Sequence, residues 1–356
     1  MTIHLPRYAE LWGSAYLSGR LRPNRATIRR VWVAVTDHYE PFWRKADDTL
    51  ANRRVSRWRT TWPEIAEKIA PDSAGRKPRH TFFYPQEQYR PSLLASLAEL
   101  VCAGIADVEV HIHHDRDTRE SFIERVSTFC EDLHSRHGLL RKIDGRLSFG
   151  FIHGNWALDN SRDGRFCGVS DEIRILRELG CYADFTMPSG NSPTQSKIVN
   201  KIYWCTGDPQ RAKSYDTGVT VTVGGGRKGD LLMITGPFGI RWAERLVPRI
   251  ETGEIAGNDV CSRYRARRWF NLAPVIGEDL FIKLYTHGAQ ERNSDVLLKH
   301  GLLDMYKMVA HEARRRGTEI YYVSAWEMFK AVQALSEGRD PQAAVIGRAC
   351  TAGHVR

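Results

Sequence analysis

Residues 107–115 read DVEVHIHHD. Alternation at period two puts Val108, Val110 and Ile112 on one face of a strand and Glu109, His111 and His113 on the other, with Asp115 next in that series. Two histidines on one face of a strand present their imidazoles to a common point, an arrangement that suits zinc or another borderline divalent ion. His114 faces away and is the weaker candidate. The alternative for the pair is two hydrogen-bonded structural histidines.

Working outward, further short apolar runs flank this one. Residues 31–36 (VWVAVT) form a continuous run rich in β-branched residues, as in a strand buried on both faces. Residues 80–84 (HTFFY), ended by Pro85, give another strand, and 147–153, 183–187, 279–286 and 318–324 supply four more. Helical spacing separates them: Phe122, Val126, Phe129 and Leu133 within 119–137, Ile173, Leu176 and Leu179 within 170–180, and Leu298, Leu302, Met305 and Val309 within 295–316. Strands alternating with helices imply parallel pairing, in a barrel or an open doubly wound sheet. Residues 191–276 interrupt the rhythm. Their segment 220–234, TVTVGGGRKGDLLMI, reads as two strands around a glycine-rich hairpin turn; it lacks the spacing of a phosphate loop. With no Gly/Pro/Ser-rich linker on either side, the expectation is one domain over 1–356, with 191–276 inserted between the fifth and sixth barrel strands.

Composition limits the class. The 356 residues are 42% hydrophobic and 26% charged, enough apolar material for a large core and too much for a disordered chain. No run of eighteen apolar residues occurs and no secretory leader is evident, so no transmembrane segment is expected. Seven cysteines form no Cys-x-x-Cys pair, which fits reduced thiols and a cytoplasmic location. The formal charge of +10 attracts anions and allows peripheral membrane contact. The basic residues are scattered, and no nucleic-acid-binding module is present.

The polar residues at strand ends carry the chemistry. In parallel α/β folds, ligands bind beyond the carboxyl ends of the strands. Six of the thirteen histidines stand at four such ends: His38, His111, His113, His114, His153 and His287. Asp37 precedes the first of them. Asn155 and Trp156 follow His153 and offer an amide and a stacking face to a sugar, although the tryptophan reads equally as packing. Tyr84 stands at a strand end as a rim contact or a helix start. His4, His134, His137, His300, His311 and His354 read as surface or packing residues.

An acidic residue closing the first strand, a histidine cluster closing the third and a late strand ending in histidine together resemble the NodB-type polysaccharide deacetylases, carbohydrate esterase family four. The likeness covers about 31–190 and 277–330. It implies a distorted, TIM-like (β/α)7 barrel and one bound divalent metal ion, usually zinc, held by an aspartate and two histidines. Asp37 matches the family's base, and His38 stands where the family has its metal-binding aspartate; the reverse assignment stays open. His111 is the first histidine ligand. The second is Asp115 by family spacing or His113 by strand geometry. Lys283-Leu284-Tyr285-Thr286-His287-Gly288 matches the late motif, making His287 the acid. The family's Arg-x-Pro-Tyr is reduced to Thr186-Met187-Pro188-Ser189-Gly190. The activity implied is metal-dependent removal of an acyl group, acetyl above all, from a sugar, polysaccharide precursor or glycoconjugate, with His153, Asn155, Trp156 and Tyr84 contacting the substrate. The alternatives are a catalytically silent carbohydrate-binding barrel and a different metal-dependent ester or C–N hydrolase.

Overall fold

The computed structural model describes residues 7–21, 27–242 and 248–346. Its strands are β1 (Arg30–His38), β2 (His80–Pro85), β3 (Ala106–Ile112), β4 (Arg141–Ile143), β5 (Arg146–His153), β6 (Cys181–Asp184), β7 (Ile202–Cys205), β8 (Val219–Thr220), β9 (Leu231–Ile234), β10 (Gly239–Trp242), β11 (Pro248–Glu251), β12 (Val275–Ile276), β13 (Asp279–Thr286) and β14 (Glu319–Tyr322). All but β10 and β11 belong to one mixed sheet, with the path β12-β13-β1-β2-β3-β5-β6-β9-β7-β8. The steps from β13 through β1, β2, β3, β5 and β6 to β9 are parallel. Burial on both faces explains why the Val31–Thr36 stretch of β1 reads as a continuous apolar run, whereas β3, though equally buried, alternates apolar with polar residues. β14 shares the edge of β1 with β2: it pairs with residues 30–33, and β2 with residues 35–38.

Helices α1 (Ala9–Leu21), α2 (Asp48–Lys68), α3 (Pro91–Cys102), α4 (Arg119–Ser135), α5 (Glu172–Glu178) and α6 (Arg263–Leu272) are followed by α7 (Glu291–Val296), α8 (Leu302–Arg316) and α9 (Ala325–Ser336). Their starts are set locally. The Asp47 carboxylate caps α2 by accepting from the Leu50 amide, and Thr118 and Ser121 form a reciprocal cap on α4. One apolar layer joins the outer face of the sheet (Val33, Val35, Phe82, Val108, Val110, Phe151) to Trp58, Leu97, Phe122 and Val309 of the helices. A second fills the concave side with Trp32, Phe83, Ile152, Phe185, Trp204, Phe281 and Tyr321, over which α9 lays Met328 and Val332.

Three expectations are met only in part. Among the described residues no backbone ladder closes the sheet into a barrel. The seam between β13 and the end of β6 is spanned instead by a side chain: the Lys283 ammonium donates to the Phe185 and Met187 carbonyls, both at 2.7 Å. Nor do β8 and β9 form a hairpin across the glycine-rich turn. The strand Ile202–Cys205, four buried residues with no alternation to betray it, pairs with both and separates them. The isolated two-stranded unit of this region is β10 with β11. Through β9, the segment 191–276 therefore extends the main sheet. The segment expected as one helix, 295–316, is interrupted by a wider π turn at Leu297–Gly301. No described helix is long and apolar enough to cross a membrane.

Candidate metal centre

Strand alternation decides which polar residues face the concave side. On β1, Trp32 and Ala34 belong to the inner core, so Thr36 and His38 continue that face; on β13, Phe281 leads to Lys283, Tyr285 and His287. On β3 the inner face is Glu109 and His111, extended by His113. His111 is paired with Pro85 of β2 on one side and Ile152 of β5 on the other.

His111, His113 and Glu40 converge, with one potential ligand atom from each within 4.8 Å of the other two. The His111 Nδ1–H donates to the Ile152 carbonyl at 2.8 Å, which leaves Nε2 as a lone pair. That atom is buried without a hydrogen-bond partner and lies 3.6 Å from Glu40 Oε1. His113 is aimed in the same way: Glu87 takes its Nδ1–H at 2.6 Å and its backbone N–H at 3.1 Å, and its Nε2 lies 3.2 Å from Glu40 Oε1. A backing acceptor on the far nitrogen of each ring is how metal-binding histidines are held. The room for His113 comes from Gly154, where a Cβ would meet the ring at 2.3 Å. Burial disfavours charge on Glu40, yet the two imidazoles of His111 and His113 beside it hold its carboxyl far below the usual range. Burial likewise opposes charge on His113, but Glu40 and Glu87 raise its pKa to about 10, while burial and the charge of His113 lower that of His111. The orphaned, deeply buried His111 nitrogen and the two-histidine, one-carboxylate set fit a divalent ion with coordination positions left open.

Next to this group stand His38 and His287, their rings 4.9 Å apart, with the His111 ring 5.5 Å from His38. His287 Nδ1 faces Glu254 Oε1 at 3.7 Å. Burial opposes its charge, but Glu254, helped by Glu40 and Asp37, raises its pKa, whereas burial together with His287 and His111 pushes His38 well below the ordinary value. Trp156 lies 6.0 Å from both rings, and Tyr285 lies 5.5 Å from His38. Beyond them opens a cavity of about 550 Å³ whose wall includes Trp156, Tyr285, Glu254, Arg241, Arg249 and Asp259. The last four belong to 191–276, so that segment builds much of the pocket. Trp156 follows Asn155, and both have left-handed backbone (φ 54° and 53°), a strained turn that sets the indole over the two imidazoles.

Several expected site residues lie elsewhere. Asp37 alternates away from His38 into the layer under α2, fully buried. Its carboxylate accepts the Gly288 N–H at 2.6 Å and meets His80 Nε2 at 2.9 Å. Trp58 donates to the Gly288 carbonyl at 2.9 Å, and a Cβ on Gly288 would strike the Asp37 carboxylate. Asp37 thus anchors the turn after His287 and does not face the cavity. Tyr84 also points outward, buried, its hydroxyl donating to the Gln88 carbonyl. His153 is turned to the helix side, 2.8 Å from His114. Asp115 is more than half exposed and accepts from the Phe166 N–H, so His113 and not Asp115 joins His111. Asn155 is exposed. His38 lies beside the group without joining the set of three. Glu40 and Glu87 had not been singled out. Alternation past His38 reaches Glu40, whereas Glu87 comes from the short turn Gln86–Gln88 and has no periodic signal.

No family model matches the chain, and no curated protein does. Among solved structures, it is similar to the Xyl-CE4 domain of a multidomain xylanase from the hindgut metagenome of Trinervitermes trinervoides, at TM-score 0.36 and 10% identity over 85% of this chain and 90% of that one. It is also similar to an α-mannosidase from Enterococcus faecalis V583, at TM-score 0.38 and 10% identity over 86% of this chain and 29% of that one. At such scores the reading of the site rests on its own geometry.

Proposed function

We propose that the chain is a metal-dependent hydrolase that removes an acyl group, acetyl above all, from a sugar or glycoconjugate. The observation that carries this reading is the convergence of Glu40, His111 and His113, with the buried His111 Nε2 left unpartnered, next to His38, whose ring lies 6.0 Å from Trp156 of the cavity wall. Glu40, His111 and His113 hold one divalent ion of zinc type. When bound, it supplies Lewis acidity toward an acyl carbonyl oxygen. Trp156 and Tyr285 offer apolar faces to a sugar ring, and the mixed charges of Arg241, Arg249 and Asp259 suit a polar ligand. His287, its Nδ1 3.7 Å from Glu254 Oε1, gives a proton from Nε2 to the departing amine or alkoxide. The buried His38 side chain, its ring beside those of His287 and His111, takes the proton of the attacking water. Asp37 positions His287 through Gly288.

The test is hydrolysis of N- and O-acetylated sugars by protein loaded with zinc. Acetate release that is lost on chelation, restored by metal and lost in His111→Ala supports the reading. Metal binding at this cluster with no release from either class overturns it in favour of a binding protein.

A further inference from the structure

A second group of metal-binding side chains lies on the other side of the sheet. His114 follows β3, His153 ends β5, Glu172 opens α5 and Cys167 stands in the loop before it; all four are buried. The two imidazoles are oriented by their outer nitrogens. His153 Nδ1 is 2.6 Å from the Gly154 carbonyl and His114 Nδ1 is 3.1 Å from the Asp117 carboxylate, and both partners accept. Each Nδ1 therefore carries a hydrogen, and the two Nε2 atoms are turned inward. Those two atoms are 2.8 Å apart, and each is 3.4 Å from Glu172 Oε1, a buried oxygen with no hydrogen-bond partner. Glu172 Oε2 is occupied by the Asp159 N–H at 2.6 Å and lies 3.5 Å from the Cys167 sulfur. Two ring nitrogens and a carboxylate oxygen thus meet in a buried pocket, an arrangement that needs either one proton shared by the rings or a metal cation.

We propose that His114, His153, Cys167 and Glu172 form a closed, structural site for one divalent ion of zinc type, independent of the open cluster and of the hydrolase reading. The dimensions suit it. With metal–nitrogen bonds of about 2.0–2.1 Å, tetrahedral edges are about 3.3–3.4 Å, which the two Glu172 distances match; the imidazole pair must open by about 0.5 Å. The charges also balance. On binding, the Cys167 thiol gives one proton to solvent, and the thiolate and the Glu172 carboxylate together neutralise the ion, so that no net charge stays buried. Such an ion fastens the loop 157–171 to the ends of β3 and β5. That loop has no regular structure, and Asp159, Asn160, Asp163 and Phe166 within it have left-handed backbone. The same ends carry His113 and, past Gly154, Trp156, so the closed site stiffens one wall of the open one.

The full chain, purified without a metal-binding tag and loaded with cobalt(II), provides the test. Cobalt bound to thiolate shows a sulfur-to-metal charge-transfer absorption in the near ultraviolet, which the Glu40 cluster, having no sulfur, does not give. Expected are one equivalent of ion with this absorption in the unaltered chain, its persistence in His111→Ala, and its loss in Cys167→His with the ion retained. No such absorption at saturating cobalt means that the two rings share a proton instead, and overturns the proposal; so does an undiminished absorption in Cys167→His. Should that variant fail to fold, alkylation of the unaltered chain, mapped to Cys167, decides. A rate that rises on chelation supports the site, and a rate indifferent to chelation overturns it.

Discussion

His113 and His114 are neighbours in sequence and belong to opposite sides of one sheet. The His113 side chain is 27% exposed and groups with Glu40 and His111; the His114 side chain is wholly enclosed with His153, Cys167 and Glu172. The residue types are similar, but the number of ligands and the access of solvent are not. Three ligands beside an open space leave coordination positions for a substrate, and four in a sealed pocket leave none. What an imidazole can do here is set by the parity of its position along the strand.

The most severe way to break the comparison is to remove what holds both groups while keeping every member. A fragment of residues 1–190 contains all seven side chains but lacks β13 and β14, the partners of β1 along its length. It should be insoluble or lack a cooperative melt, because the edge of β1 and the inner apolar core are exposed; a soluble fragment with a sharp thermal transition contradicts this. Next, Glu172→Ala should lower stability by about 3–5 kcal/mol, as expected when one member of a buried polar set is removed and its partners stay behind. His111→Ala should remove the ion of the open cluster with a much smaller change in denaturation midpoint, and equal destabilisation by the two would erase the distinction between the sites.

Within the open group, the proposed role of His287 as proton donor predicts that His287→Ala reduces acetyl release by about 10²–10⁴-fold with a much smaller proportional change in stability. Asp37→Asn should act in the reverse proportion, losing about 1–3 kcal/mol of stability through its buried contacts to His80 and Gly288. A variant that melts like the unaltered chain while losing all turnover would restore Asp37 to the chemistry.

The last of these tests concerns pH. Burial lowers the pKa of Lys283 to about 7, with Asp184 opposing. An unfolded lysine titrates near 10.4, so between about 7 and 10.4 the unfolded chain holds more protons than the folded one, and stability rises with pH. Lys283→Met should lack this rise, on the order of a few kcal/mol, in denaturation curves taken across that window. Parallel curves for the two proteins would show that Lys283 stays charged in the fold.

The element pattern was legible because strands buried on both faces leave continuous apolar runs, and the facing of His111 and His113 followed from period two. The same rule, carried from β3 to β1, β2 and β5, places Asp37, Tyr84 and His153 on the helix side. Reading those residues as pocket groups took strand ends as points and ignored their faces. Glu40 was within reach of that rule. Glu87, Glu254 and Lys283 were not, since each acts across a separation that no local pattern encodes, as in the bonds of Lys283 to residues 96 and 98 positions away. Strand β7 was hidden for a related reason: four buried residues owe their conformation to neighbours on both sides.

The placement of β1 has a consequence in time. It is an interior strand, third from the β12 end of the sheet path, and the Thr36 hydroxyl donates to the carbonyl of Leu284, 248 residues further along. At about 5–20 residues per second, a ribosome takes roughly 12–50 s to cover that distance. Throughout that interval the apolar strand Arg30–His38 has been made and its neighbour β13 has not, so the nascent chain depends on β2 and α2, or on a chaperone, to keep that edge from other chains.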